Sequence, residues 1–264
     1  MLQRKLNKVI SEHAIIHPSA KLAKDVTVGP GTIIGPDVEI GEGTWIGPHV
    51  VIQGPTIIGK YNKIFQFASV GDEPQDVTYQ GEPTRLEIGD YNIIREFCMI
   101  SRGTVKGGGL TRLGNHNFLM AYSHIGHDCM VGNQIIMVNY SAISGHVILN
   151  DYAIIGAYAA VHQFCQVGVY AFIARATYVT KDVLPYVMIA GHTTSACGIN
   201  TVGLRRRGFS STAIDHLRRA YKIIFRKGLT VQQALGELDV LKKDCPELLP
   251  MIEALMQSTR GIVR

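Results

Sequence analysis

Four histidines, His124, His127, His146 and His162, fall within 39 residues, and His127 is followed at once by Asp128. An imidazole that titrates near neutrality beside a carboxylate suits general-base catalysis on a hydroxyl, a contribution of about 10²–10⁴ in rate. The densest run is His124-Ile-Gly-His127-Asp128-Cys129. Eighteen residues beyond His127 stands Gly145, eighteen beyond Asp128 stands His146, and the next span carries His162-Gln163. If residues at that spacing stack, His127, Gly145, His146 and Gln163 share one outward patch, with His124 and His162 at its margins. A backbone N–H one coil above could then stabilise the oxyanion of an attacked thioester, worth about 3 kcal/mol. A lone surface histidine is more often simply solvated; the coincidence of four under one spacing points to a site. A metal reading uses His124, His127 and His146 as zinc ligands, but it leaves Asp128 and a long basic tail without a purpose.

The elements that must position these residues follow from a repeat of six. Every sixth residue from Ile16 to Val70 is aliphatic, as are Ile88, Ile94 and Ile100; the series restarts one residue out of phase at Leu113 and runs to Val179, giving 25 positions without a polar exception. The residue two places earlier is usually small (Thr32, Thr44, Ala68, Cys98, Ser141, Cys165), and glycine often follows the aliphatic. A helix needs a period of 3.6 and a hairpin strand a period of 2. A period of six with one large and one small inward residue predicts short strands alternating with turns, glycine supplying backbone freedom at the corners. Three hexads close a triangular coil, so the fold expected is an all-β parallel β-helix. Cys98, Cys129 and Cys165 take small inward positions and read as core filler.

After Pro185 the period disappears. A helix is predicted over 210–226 with Ser210 as its N-cap, a second behind the capping box Thr230-Val-Gln-Gln233, and a third over about 247–260 beyond the break at Cys245-Pro246. The expected organisation is an N-terminal extension over 1–12, a β-helix over 13–199 and a C-terminal helical domain over 200–264. Two polar interruptions, at about 71–87 and 102–112, should leave the coil as loops. Gln75 and Asp76 in the first could reach a ligand on a neighbouring subunit. The second, Arg102-Gly-Thr-Val-Lys-Gly-Gly-Gly109, is a weak phosphate-loop signal, lacking the Lys-Ser/Thr ending and a following helix.

The composition sets the class. With 264 residues, 46% hydrophobic and 18% charged, the chain can bury a sizeable core, and no apolar stretch of membrane-spanning length exists. The basic start has no apolar segment behind it and reads as no signal peptide. Five cysteines without paired spacing fit a reducing cytoplasm better than secretion. Residues 200–264 hold 12 Lys/Arg against 6 Asp/Glu, so the surplus behind the net charge of +5 lies in the tail. Arg205, Arg206, Arg207, Arg218, Arg219, Lys222, Arg226 and Lys227 suggest phosphates and an acidic partner there. A nucleic-acid role is disfavoured because no aromatics interleave with these charges.

Several runs in series carry a resemblance: Gln66-Phe-Ala-Ser69, Gln75-Asp76, Gly81-Glu-Pro-Thr-Arg85, Arg102 to Gly109, His124 to Cys129, Val161-His-Gln-Phe-Cys165, Arg206-Arg-Gly-Phe209 and Ser258-Thr-Arg-Gly261. From about residue 12 onward the chain closely resembles the UDP-N-acetylglucosamine O-acyltransferases of lipid A biosynthesis, hexapeptide-repeat acyltransferases whose coils wind left-handed. The resemblance implies transfer of an (R)-3-hydroxyacyl group from acyl carrier protein to the sugar 3-hydroxyl. His127 would be the general base, Asp128 its orienting partner and the Gly145 amide the oxyanion donor. Gln75, Asp76, His124, His146, His162 and Gln163 would contact the nucleotide sugar, Asn200 and Arg206 would hold its uridine diphosphate, and Arg207 would also bind substrate. Arg175 and Ile173 would fall at the acyl-length determinant. A cytoplasmic homotrimer with sites between subunits is implied, with no metal or separate cofactor, the donor bringing its own 4'-phosphopantetheine arm. Ser101 stands where better-known members have His, Thr78 where they have Lys, Val202 where they have Glu, and Arg175 where an uncharged residue is usual. These departures leave open a divergent paralogue of weakened activity or a non-catalytic scaffold. The sister N-acyltransferase carries a globular domain before its coil, whereas here hexads begin by residue 16.

Overall fold

The chain is seen in a computed structural model that describes residues 10–191 and 194–264; residues 1–9 of the expected N-terminal extension lie outside it. Strands of two to five residues alternate with turns and stack into three sheets of nine, eight and ten strands, parallel throughout except for the last strand of the third sheet. The first face is built from strands such as Ile15–Ile16, His124–Ile125 and Ala142–Ile143. The second includes Met130–Val131 and Ile148–Leu149, and the third Ile136–Met137 and Ile154–Ile155. Partners lie one circuit apart, as in Ile15↔Ile33 and His124↔Ala142. The separation is 18 residues in plain coils, 30 where a circuit contains the first loop and 25 where it contains the second. The two insertions therefore leave the prism intact and put the period back in step on either side.

The inward column is as expected. Ile34, Ile46, Ile64, Ile94, Ile125, Ile143 and Val161 are 0–1% exposed, and burying each such side chain contributes about 1.5–3 kcal/mol. Of the small inward positions, Thr32 and Thr44 also work as fasteners, their hydroxyls donating to the Gly47 and Gly59 carbonyls at 2.7 and 3.0 Å.

The corners differ from the sequence expectation. Glycines that follow the aliphatic, such as Gly29, Gly41 and Gly126, are required because the next coil's backbone passes so close: an added Cβ would stand 2.6–2.8 Å from it. The left-handed conformation falls two residues later; Gly31 and Gly43 hold it beyond Gly29 and Gly41, but most other corners put a side chain there, among them His49, Phe67, Tyr122, Asp128, Tyr140 and His146. Their rings stack coil on coil, as in Phe97–Tyr122–Tyr140–Tyr158 with centroids 4.6–4.9 Å apart. Ring stacking offsets the strain of a positive φ in a residue other than glycine.

Strands bound the loops more tightly than expected: Ser69–Asp72 and Arg85–Ile88 leave 73–84 as the first loop, and Met99–Ser101 and Leu110–Leu113 leave 102–109 as the second. Beyond the coils, Val187–Ala190 pairs with Ser195–Ile199 antiparallel and ends the third sheet. Four helices follow: α1 Thr201–Arg206, α2 Ser211–Arg226, α3 Val231–Leu241 and α4 Leu249–Gln257. Ser210 caps α2 and Thr230 with Gln233 forms the capping box of α3, as read from the sequence, whereas α1 was not foreseen. The final segment returns to the prism, the Val263 N–H donating to the Asp182 carbonyl at 2.9 Å.

Candidate active site

The corner between the first and second faces collects the chemistry. Both loops leave the coil at this corner, in adjacent circuits, and the turns holding His127-Asp128, Gly145-His146 and Gln163-Phe164 stack beyond them. His127 Nδ1 lies 2.7 Å from Asp128 Oδ2. That contact makes Nδ1 the protonated nitrogen and leaves the Nε2 lone pair free. The ring covers Gly145, where a Cβ would meet Cε1 at 2.6 Å and Nε2 at 2.7 Å. The Gly145 N–H makes no hydrogen bond within the described residues. A proton acceptor and an unused backbone donor therefore stand side by side.

His146 packs edge-on to His127 at 5.1 Å and stacks on Phe164 at 4.4 Å, its Nε2 3.7 Å from Asp128 Oδ2. Burial pushes the His146 imidazole below its usual range, with Asp128 opposing, and burial followed by the nearby His127 lowers His124. Both are held toward the neutral form, able to accept or donate a hydrogen bond without adding positive charge.

Asp128, although next to the outward His127, is only 4% exposed, roofed by the second loop through Thr104. That loop, a weak phosphate-loop signal in sequence, is thus part of the site; only its glycines hinted at a close approach. The first loop folds back over its own chain. Gln75 Nε2 lies 3.1 Å from Met99 Sδ, one circuit from His124 on the same face. Asp76 accepts from the Thr78 N–H and hydroxyl at 2.8 Å, which hold its carboxyl below the usual range, with His127 and Lys106 adding to the effect. Lys106 Nζ in turn donates to Thr78 Oγ1 at 2.8 Å. The cation missing at position 78 thus arrives beside Asp76 from the second loop. Ser101, at another departure, is buried with its hydroxyl unpaired among the described residues, and Val202 is exposed on α1.

His162 and the exposed Gln163 complete the stack, His162 Nδ1 lying 3.2 Å from the Gln163 carbonyl. The remaining expected residues lie elsewhere in the chain. Asn200 is 7% exposed and its side chain is committed to structure, accepting from Gly203 N–H as the cap of α1 and donating to the Tyr170 carbonyl. Arg207 lies over the Tyr152 ring at 4.4 Å, at the corner between the second and third faces, with Arg206 exposed beside it. Arg175 lies at the third corner with Tyr158 and Gly191. Ile173 is 0% exposed inside the prism, so it cannot line an acyl groove. Several cations of the tail are already paired, Arg218 with Asp215 at 2.7 Å and Arg226 with the Tyr221 hydroxyl at 3.0 Å.

The zinc reading finds a different trio from the one expected: His127, Asp128 and His146 converge, without His124. The Nδ1···Oδ2 contact of 2.7 Å is a hydrogen bond, shorter than two ligands on one zinc ion at about 2.0–2.2 Å each comfortably allow. Burial pushes the Cys98 and Cys165 thiols up to about 11 and Cys129 up to about 12, so these cysteines are protonated filler and not nucleophiles.

A prism of hexads with a histidine–carboxylate pair and a free amide at one corner defines a transferase of the hexapeptide-repeat class. Residues 37–71 match the model described as bacterial transferase hexapeptide (six repeats), and residues 182–263 match that described as Udp N-acetylglucosamine O-acyltransferase; Domain 2. Over 97% of its length, and 99% of theirs, the chain is 53% identical to the acyl-[acyl-carrier-protein]–UDP-N-acetylglucosamine O-acyltransferase of Pseudomonas entomophila and 54% identical to that of Ectopseudomonas mendocina. Among solved structures, LpxA from Acinetobacter baumannii superimposes with a TM-score of 0.95 at 48% identity, covering 97% of this chain and 100% of that one. The chain belongs to the UDP-N-acetylglucosamine O-acyltransferase family, and its coil is the left-handed parallel β-helix with a C-terminal helical region.

Proposed function

We propose that this chain catalyses its family's reaction, transfer of an (R)-3-hydroxyacyl group from acyl carrier protein to the 3-hydroxyl of UDP-N-acetylglucosamine at the start of lipid A synthesis, by direct attack with His127 as general base. The observation that carries the reading is the 2.7 Å contact of His127 Nδ1 with the buried Asp128 carboxylate, which leaves Nε2 as the acceptor beside the Gly145 amide. Nε2 takes the proton of the sugar hydroxyl as its oxygen bonds to the thioester carbonyl carbon. The resulting oxyanion is met by the Gly145 N–H. When the intermediate collapses, the C–S bond breaks and the imidazolium returns the proton to the departing thiol. Every step balances without a metal or separate cofactor, since the donor carries its own 4'-phosphopantetheine thiol.

Gln75, Asp76, His124, His146, His162 and Gln163 ring this point and suit the polar sugar. Arg206, Arg207 and Arg175 lie on the other two corners, so they can serve the same site only across an interface between copies. That supports a homotrimer with shared sites. The groove between α2 and α3 is lined by Arg219, Lys222, Ile223, Lys227, Glu237, Val240, Leu241 and Asp244; Glu237 pairs with Lys227, and Arg219 and Lys222 are the cations it offers to an acidic carrier protein. Among the described residues no helix is long and apolar enough to cross a membrane. The five cysteines are unpaired, which supports a reducing cytoplasmic setting.

Replacing His127 with Ala should lower turnover by about 10²–10⁴ while circular dichroism and oligomer size stay unchanged. Undiminished turnover in the folded variant would remove His127 as the base.

A further inference from the structure

The second loop is tied to the site through one carboxylate. The Thr104 N–H donates to Asp128 Oδ1 at 2.7 Å, and its hydroxyl donates to Oδ2 at 2.6 Å. The hydroxyl proton has a defined direction, because Thr104 Oγ1 also accepts from the Gly107 N–H at 3.3 Å as the cap of the 3-10 turn Val105–Gly107. Gly107 passes so close that any side chain there would collide with the Asp128 carboxyl. Asp128 is held from below as well, its own N–H donating to Thr111 Oγ1 at 2.7 Å. The loop cannot readily slide: Gly103 N–H bonds the Arg85 carbonyl at 3.2 Å, and the largely buried Arg102 donates to the Gly71 carbonyl at 3.1 Å and to the Tyr79 hydroxyl at 2.9 Å.

The torsion that turns a carboxylate plane is broad and intrinsically ill-defined. A carboxylate that must present one chosen oxygen to an imidazole therefore needs donors outside the pair to fix it. We propose that the 102–109 loop is a clamp for this purpose, with Thr104 as a positioning residue that acts through Asp128 and Gly107 as the space that admits it. Oδ1 is occupied by a backbone donor that cannot rotate away, and Oδ2 is shared between the Thr104 hydroxyl and His127 Nδ1–H. The clamp thereby selects the tautomer with its lone pair on Nε2 and holds the ring over Gly145. This rests on the reading of Asp128 as the partner that orients His127.

The test compares Thr104→Val, Thr104→Ser, Gly107→Ala, Asp128→Asn and the double variant Thr104→Val/Asp128→Asn in the full-length oligomer. Thr104→Val keeps the shape and backbone N–H but loses the hydroxyl. It should lower kcat by roughly 10²-fold with KM nearly unchanged, as expected for a displaced catalytic group. Thr104→Ser should restore most of that loss. In the Asp128→Asn background the same Thr104→Val change should cost less than about threefold, because two residues acting through one contact are not additive. Ring ¹⁵N shifts of His127 should show one tautomer in the parent and a mixture in Thr104→Val and Gly107→Ala, a readout that survives even if one variant loses activity through poor folding. Full kcat in Thr104→Val, or an equal loss in both backgrounds, would overturn the clamp while leaving Asp128's own role standing. Full activity in Asp128→Asn would instead overturn the underlying reading.

Discussion

The His127 ring lies flat across position 145, where the absence of a side chain lets it rest with Nε2 beside the amide. Gly145→Ala should push the ring aside without disturbing the buried column beneath, since Ile143 and Val147 point inward. A displacement of about 1 Å at a catalytic group can cost roughly 10²-fold. We expect a loss of that size in kcat, measured by steady-state turnover, with an unchanged melting temperature. Wild-type turnover in Gly145→Ala would mean that the ring's observed seat is not its working one. At this scale the sequence was informative where spacing alone carried the signal. His127, Gly145, His146 and Gln163 meet as the 18-residue count requires. The burial of Asp128, by contrast, was invisible, because its roof comes from a loop whose path no periodicity describes. Ile173 shows the converse: its place in the hexad register already put it inside the prism, which is where the structure holds it.

Among the elements, the corner between the second and third faces depends on a ladder of buried asparagines. Asn92 Nδ2 donates to Asn62 Oδ1 at 3.0 Å and to the Gly114 carbonyl at 2.9 Å, while its Oδ1 accepts from the Asn117 N–H at 2.9 Å. Asn92 is 0% exposed, so truncation leaves several of these groups dry and unpaired. Asn92→Ala should reduce stability by about 2–5 kcal/mol, read as a lower urea midpoint. A shift under 0.5 kcal/mol would show that water replaces the lost bonds. This ladder also bridges the two loop insertions, since Asn62, Asn92 and Asn117 remain in line although the circuits between them hold 30 and 25 residues. Hexads predicted the strands well because an inward aliphatic repeats at a fixed interval. They misassigned the turns' stereochemistry because the positive φ falls on stacked aromatics, whose support comes from neighbouring coils and not from their own intrinsic preference. The short α1 was missed since its cap, Asn200, is fastened to the Tyr170 carbonyl 30 residues away.

Across the whole molecule, His127 and Arg207 occupy different corners of one prism. If diphosphate and base serve one reaction centre, that centre lies between copies, with His127 from one chain and Arg207 from its neighbour. Mixing two inactive variants tests this directly. In cyclic oligomers assembled at random from equal amounts of His127→Ala and Arg207→Ala chains, about a quarter of the inter-subunit sites would be intact, so about a quarter of wild-type activity should return. Activity no greater than that of either variant alone would place both residues in one subunit's site or remove Arg207 from the reaction.

Period, inward column and the alignment of the reactive corner were already contained in the order of residues, because a hexad buries the same position on every pass and closes after three. Where the two irregular segments went was settled by stacking in three dimensions. Both emerge at the same corner in successive circuits, so one can pin Asp128 while the other carries Asp76 back toward His127, and contacts between segments of unequal length leave no repeating trace along the chain.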